Sequence, residues 1–207
     1  AVRSGKVSGA ALDVFASEPV SPDNPLVQLL ENVVTPHLGA STEEAQVAVA
    51  VDVAEQVVDV LQGRPPRSPV NLPYLAPEAY AAVKPYLTLG QKMGHLLAQI
   101  ALDDFGSGFP IDTVDVLYSG DFADRPTSTI TRAVLAGLLS PILSEPANLV
   151  NAPVLAASRG IHVIERQTPS REEYSSLVTV TLGSREGVHS ASCTAYGPGQ
   201  YRVVEVD

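Results

Sequence analysis

The chain has 207 residues, 45% of them hydrophobic and 17% charged, which is enough apolar content for a packed core and excludes wholesale disorder. Thirteen Lys and Arg against 23 Asp and Glu leave a formal charge of −10. That balance argues against nucleic acid, whose phosphates are neutralised by cationic side chains. No apolar run reaches the ~18 residues of a membrane span, and the single Cys193 excludes an intrachain disulfide and fits the reducing cytoplasm.

Gly9–Phe15 and Asn32–Thr35 are short apolar runs joined by a connection rich in Pro, Ser, Asp and Asn, with a short helix expected at Leu26–Leu30. Such strands predict part of a parallel sheet buried on both faces. Ser41-Thr42-Glu43-Glu44 has the spacing of a capping box, with the Ser41 hydroxyl and the Glu44 carboxylate serving free N–H groups of a helix. That helix is expected to run to about Gln62 and stop at Gly63, before Pro65-Pro66. Asp52, Glu55, Gln56 and Asp59 form a narrow polar stripe on it, and the rest is almost entirely Ala and Val. A helix apolar around most of its girth needs more than one neighbour, so a place between domains or at a subunit contact is expected.

Gly63–Pro73 is Pro-rich and aperiodic, as a linker is. The expected division is therefore residues 1–57, a linker over 58–75, and a second domain over 76–207. In the second domain Pro85–Leu102 reads as a helix with Leu89, Met93, Leu96, Leu97 and Ile100 on one face, and Ser128–Leu143 as another. Asn151-Ala152-Pro153 is expected to cap a third, ending near Ser158. Alternation in Val114–Tyr118, Ile161–Arg166, Leu177–Leu182, Val188–Tyr196 and Tyr201–Val206 marks strands, the last three joined by glycine-containing turns as an antiparallel meander. The predicted class is an α/β segment and a connecting helix, followed by an α+β domain with helices on one face of an antiparallel sheet.

Three side chains of the first segment stand beyond strand ends, where open α/β sheets bind their ligands: Asp13, Glu18 and His37. Pro36 holds Thr35 extended and stiffens the approach to His37. A carboxylate on one imidazole nitrogen fixes the tautomer and leaves the other nitrogen to exchange a proton with substrate. Spacing alone leaves two readings open, an acid–base pair or ordinary loop residues. No G-x-G-x-x-G and no G-x-x-x-x-G-K-[ST] occurs, and Gly106-Ser107-Gly108 reads as a loop. His95 and His189 read as solvated or hydrogen-bonded, Cys193 as a buried structural thiol, and no set of residues has metal-ligand spacing. Arg159, His162, Arg166 and Arg171 concentrate positive charge in an acidic chain and leave open either a small-anion site or a solvated strand edge.

Gly9-Ala10-Ala11-Leu12-Asp13-Val14-Phe15, then Glu18-Pro19, then Asn32-Val33-Val34-Thr35-Pro36-His37-Leu38-Gly39-Ala40-Ser41-Thr42-Glu43-Glu44-Ala45-Gln46, resembles the end of the nucleotide-binding domain of D-2-hydroxyacid dehydrogenases. The Pro-rich linker, Val150-Asn151-Ala152-Pro153 and Thr194-Ala195-Tyr196-Gly197-Pro198 resemble the intervening regulatory domain of the long D-3-phosphoglycerate dehydrogenases. The resemblance implies a Rossmann-type remnant followed by an allosteric domain. For the parent protein it implies NAD-dependent oxidation of 3-phosphoglycerate to 3-phosphohydroxypyruvate in L-serine biosynthesis, by a homo-oligomer. Carried onto this chain, it makes His37 the acid/base, Glu18 its orienting carboxylate, and Asp13, His37, Leu38, Gly39 and Ala40 neighbours of the cofactor.

The family's glycine-rich loop and substrate-orienting Arg have no counterpart here, because Arg3 is expected in a helix preceding the Gly9 strand instead of in a strand-end loop. The expectation is therefore an excised piece that neither binds NAD nor turns over alone. The rival expectation is a regulatory or oligomerisation module that binds a small anion.

Overall fold

The computed structural model describes residues 1–105, 110–122, 125–144, 146–169, 174–197 and 199–207. Gly106–Gly108, Arg171 and Pro198, which figure in the sequence reading, lie outside them. The chain divides into two compact units, Ala1–Pro66 and Arg67–Asp207. Among the described residues no helix is long and apolar enough to cross a membrane.

In the first unit, strands β1 (Ala10–Leu12) and β2 (Asn32–Val34) pair in parallel, with Ala10 opposite Asn32 and Leu12 opposite Val34. The predicted direction holds, but the expected burial on both faces does not: every residue of the pair is half-buried or exposed. Arg3 and Leu26–Leu30 lie in turns in place of the expected helices. Asn24 opens the second stretch as a cap would, its carbonyl taking the N–H groups of Val27 and Gln28 and its side chain that of Leu26, but the Asn32 amide claims the Leu26 carbonyl. The next helical turn would use that carbonyl.

Helix α1 (Glu43–Leu61) begins one residue later than a Ser41 cap requires. Its N-cap is Thr42, whose hydroxyl accepts the N–H of Ala45 at 3.2 Å. The two frames, Ser41 to Glu44 and Thr42 to Ala45, overlap in sequence, and Glu43 and Glu44 favour either by lying in the first turn. The C-terminus follows the expectation. Gly63 adopts φ +77°, its N–H bonds to Val60 O, and Arg64 N–H bonds to Asp59 O, the paired bonds of a Schellman stop. No residue of α1 is buried within this chain, and Val47, Val53, Val57 and Leu61 are open to solvent.

The second unit opens with helix α2 (Pro77–Phe105), eight residues ahead of the predicted start at Pro85. Proline lacks the N–H for an Ala81 carbonyl and reads as a helix start in sequence, yet here Pro85 lies inside the helix. Tyr86, Leu89, Met93 and Leu97 turn into the core and hold it there. Strand β3 (Ile111–Gly120) follows, with Val114, Val116 and Tyr118 fully buried as the alternation predicts. Helix α3 (Thr127–Leu139) ends before the predicted Leu143. Helix α4 (Ala152–Ser158) has Asn151 at its N-cap without a side-chain capping bond, because the Asn151 amide oxygen accepts Asn148 N–H instead.

Strands β4 (His162–Thr168), β5 (Ser176–Ser184), β6 (Val188–Gly197) and β7 (Gln200–Val206) complete a five-stranded sheet in the order β4-β3-β5-β6-β7. The expected meander is present as antiparallel β5–β6–β7, and β3 pairs antiparallel with β5. The sheet is nonetheless mixed: β3 and β4 are parallel, since the chain crosses over through α3 and α4 and re-enters in the same direction. One cluster unites Val83, Leu97, Val134 and Leu138 of α2 and α3 with Val116, Val180 and Ala191 of the sheet.

Candidate active site

The register of β1 and β2 sets Leu12 opposite Val34, so the next residues, Asp13 and Thr35, leave adjacent parallel strands side by side. The Thr35 hydroxyl donates to Asp13 Oδ1, and Leu38 N–H donates to the same oxygen at 2.7 Å. These two donors hold the Asp13 carboxyl below its ordinary value, with Thr35 the larger influence.

Between Thr35 and Leu38 stands His37, a non-glycine residue in the left-handed region at φ +57°. Its Nδ1 lies 2.8 Å from Glu18 Oε2. A carboxylate only accepts, so Nδ1 carries the proton and Nε2 is left for another partner. The other Glu18 oxygen, Oε1, accepts Phe15 N–H at 2.9 Å, which fixes the carboxylate from behind. The bond from His37, then that from Phe15, lowers the Glu18 pKa, and the bond to Glu18 raises that of His37. Asp13, Phe15, Glu18, Thr35 and His37 line a cavity of about 450 Å³.

Three predicted residues thus meet: Asp13, Glu18 and His37. Leu38 joins through its N–H, and Gly39 lies against the same carboxylate, where an added Cβ would stand 3.2 Å from Asp13 Oδ2. Ala40 is exposed in the turn before α1. In the sequence Thr35 stands out only as the residue ahead of a proline, and its bond to Asp13 emerges from the strand register. The cavity sets the Asp13 carboxylate beside an imidazole–carboxylate pair, groups that would suit the nicotinamide end of a dinucleotide. No phosphate-cradling G-x-G-x-x-G stands in the chain for the rest of such a cofactor.

The basic residues of the second unit are placed differently. Arg159 closes α4, while His162 and Arg166 lie on the exposed strand β4. Arg166 donates from Nε and a terminal nitrogen to the two oxygens of Asp115, at 3.0 and 2.7 Å. An anion drawing on Arg166 would compete with that carboxylate. His189 Nε2 stands 3.1 Å from Asp104, His95 is exposed on α2, and Cys193 is buried in β6. Among the described residues no three His, Cys, Asp or Glu side chains group as a metal site.

Residues 82–207 match the D-3-phosphoglycerate dehydrogenase intervening domain, and residues 1–39 match the NAD binding domain of D-isomer specific 2-hydroxyacid dehydrogenases. The chain is 42% identical over its whole length to a D-3-phosphoglycerate dehydrogenase of Archaeoglobus fulgidus, of which it covers 38%. It is 43% identical over its whole length to one of Synechocystis, covering 36% of it. A Methanocaldococcus jannaschii relative of the same name is 45% identical over 89% of the chain and 34% of its own length. The chain therefore spans less than two fifths of the length of these curated relatives.

Proposed function

Because the chain belongs to the D-3-phosphoglycerate dehydrogenase intervening-domain family, we propose that the protein it represents oxidises 3-phosphoglycerate to 3-phosphohydroxypyruvate with NAD, and that His37 and Glu18 are its proton-transfer pair. The observation that carries this is the 2.8 Å bond between Nδ1 and the carboxylate, placed past the carboxyl ends of two parallel strands and at the wall of a cavity. The fit to NAD is confined to Asp13 and the backbone of Leu38–Ala40 at its nicotinamide end. The cofactor, when bound, supplies the hydride acceptor.

The protein's own part is proton transfer and positioning. Oxidising a secondary alcohol requires its hydroxyl proton to leave as the carbon is oxidised. Neutral His37 takes that proton on Nε2, and the imidazolium so formed is stabilised by Glu18 across Nδ1. Glu18 stays ionised throughout, because Phe15 N–H and the imidazole both hold its charge. In the reverse direction imidazolium returns the proton.

The chain alone is expected not to turn over, since hydride transfer depends on close positioning of cofactor and substrate and the residues here reach only one end of the dinucleotide. Assembly of like subunits belongs to the same reading: the valine-rich face of α1 is exposed and suits burial against a further domain or another copy. So does a cytoplasmic location, in keeping with a lone reduced cysteine.

The test is turnover of the intact dehydrogenase with 3-phosphoglycerate and NAD. His37→Gln is expected to lower kcat by about 10²–10⁴-fold, the usual weight of general acid–base catalysis. An unchanged kcat would remove His37 from the chemistry.

A further inference from the structure

We propose that Thr35 is a positioning residue for the His37 imidazole, acting through Asp13; this rests on the acid–base reading of His37 and Glu18. Asp13 Oδ1 receives two donors, the Thr35 hydroxyl and Leu38 N–H, and these donors bracket Pro36 and His37. The loop 35–38 is therefore tied at both ends to a single oxygen atom.

Its middle has little freedom. Pro36 fixes its own φ and keeps Thr35 extended, and Thr35 N–H is already committed to Leu12 O at 3.0 Å, continuing the strand pairing. Between these ties His37 stands in the left-handed region at φ +57°, which is uncommon for a residue other than glycine. That conformation delivers Nδ1 to Glu18, whose own direction is fixed by Phe15 N–H. The hydroxyl at position 35 is thus the polar side chain that closes the clamp on the strand side. A valine has the same shape and extended preference but no donor.

The experiment follows the His37 ring by NMR in the histidine-labelled chain across a pH titration, in the unaltered protein, Thr35→Ser, Thr35→Val and Thr35→Ala. The unaltered chain and the Ser variant are expected to titrate together, above the ordinary histidine value. The Val and Ala variants are expected to shift back toward 6.5 and to lose the downfield Nδ1 proton of the Glu18 bond.

A second comparison separates positioning from a field effect of Asp13. In a Glu18→Gln background, Thr35→Val should produce no further shift, since the contact it positions is gone. Equal titration of all four proteins overturns the proposal, and so does a Val effect of undiminished size in the Glu18→Gln background. Should Val and Ala both unfold the first unit while Ser does not, the hydroxyl holds the fold and not the imidazole, which also overturns it. These readings need no turnover. Failure of the acid–base assignment would instead appear as a dispensable His37 in the assay of the intact dehydrogenase.

Discussion

Glu18 holds His37 with one carboxylate oxygen, at 2.8 Å from Nδ1, and is itself held by Phe15 N–H through the other. Both partners are substantially exposed, at 37% and 59% of their side-chain surface, so the pair is a device of orientation more than of stability. Its effect on pH is nevertheless definite. His37 is raised from 6.5 and Glu18 is lowered from 4.5. The stabilisation associated with His37 is complete below 6.5 and fades as pH rises through its raised value. That associated with Glu18 is present above 4.5 and fades as pH falls through its lowered value.

In the proposed reaction alcohol oxidation uses the neutral imidazole, so kcat/KM of the intact protein with 3-phosphoglycerate and NAD is expected to climb with pH through the raised His37 value. Glu18→Gln removes the charge that favours imidazolium. The climb should then begin at lower pH, with a lower plateau because the ring is less firmly oriented. Carbonyl reduction, which uses imidazolium, should show the opposite limb. A pH–rate profile of the Glu18→Gln variant that superimposes on the unaltered one would deny Glu18 this part.

Cys193 is 1% exposed, and burial pushes its thiol from 9.0 up to about 11. Reaction with thiol reagents proceeds through the thiolate. At pH 8 that shift alone reduces the reactive fraction about a hundredfold, and burial hinders access further. The native chain should label slowly and stoichiometrically only after denaturant is added, followed by mass spectrometry. Rapid labelling of the folded chain would contradict the packing of β6.

Helices α2 and α3 meet through glycines contributed by each. A Cβ on Gly94 would overlap the Val134 carbonyl oxygen, and one on Gly137 would overlap the Gln91 carbonyl oxygen. These are backbone atoms that no rotamer change can move. Gly137→Ala and Gly94→Ala are each expected to destabilise the second unit by about 1–3 kcal/mol, the usual cost of overpacking. Because both act on one helix contact, the double variant should lose less than the sum. Denaturant midpoints measure this, and an unchanged midpoint for Gly137→Ala would mean that the helices stand further apart.

Most of this architecture was legible in the sequence because burial and polarity alternate cleanly there. Val114, Val116 and Tyr118, then Val178, Val180 and Leu182, occupy every second place and are fully buried. Boundaries were legible where one residue dictates the backbone, as Gly63 does at the end of α1. They were misread where two neighbours compete for a role: Ser41 and Thr42 for the cap, Pro77 and Pro85 for the first turn of α2. The parallel pairing of β3 with β4 has no local signature, since it depends on where the α3–α4 crossover returns. At the site, the residue types of Asp13, Glu18 and His37 were readable from their places after short strands. The Thr35 bond was not, because it depends on the register of two strands and not on either one.

A polar chain running from the buried Tyr118 to the exposed Glu165 and Gln167 ties α3 to β3 and β4. The Glu165 carboxylate accepts from Thr127 Oγ1 and Thr131 Oγ1, each at 2.6 Å. With the Thr131 proton on Glu165, the Tyr118 hydroxyl donates to Thr131 Oγ1 at 2.7 Å, and the Thr127 carbonyl oxygen is a second acceptor for it at 3.2 Å. Likewise Gln167 donates to Thr127 Oγ1 at 2.8 Å. Tyr118 stands fully buried, and desolvation keeps its phenol protonated far above the ordinary range. Tyr118→Phe removes one donor and leaves Thr131 still bonded to Glu165, a loss of about 1 kcal/mol. Thr131→Val strips the nearer acceptor from the phenol, leaving it the Thr127 carbonyl, and one donor from the carboxylate, and should cost about 2 kcal/mol. Urea unfolding of the two variants decides the order. If Tyr118→Phe proved the more costly, the principal bond of the phenol would be the one to the Thr127 carbonyl and not the one to Thr131.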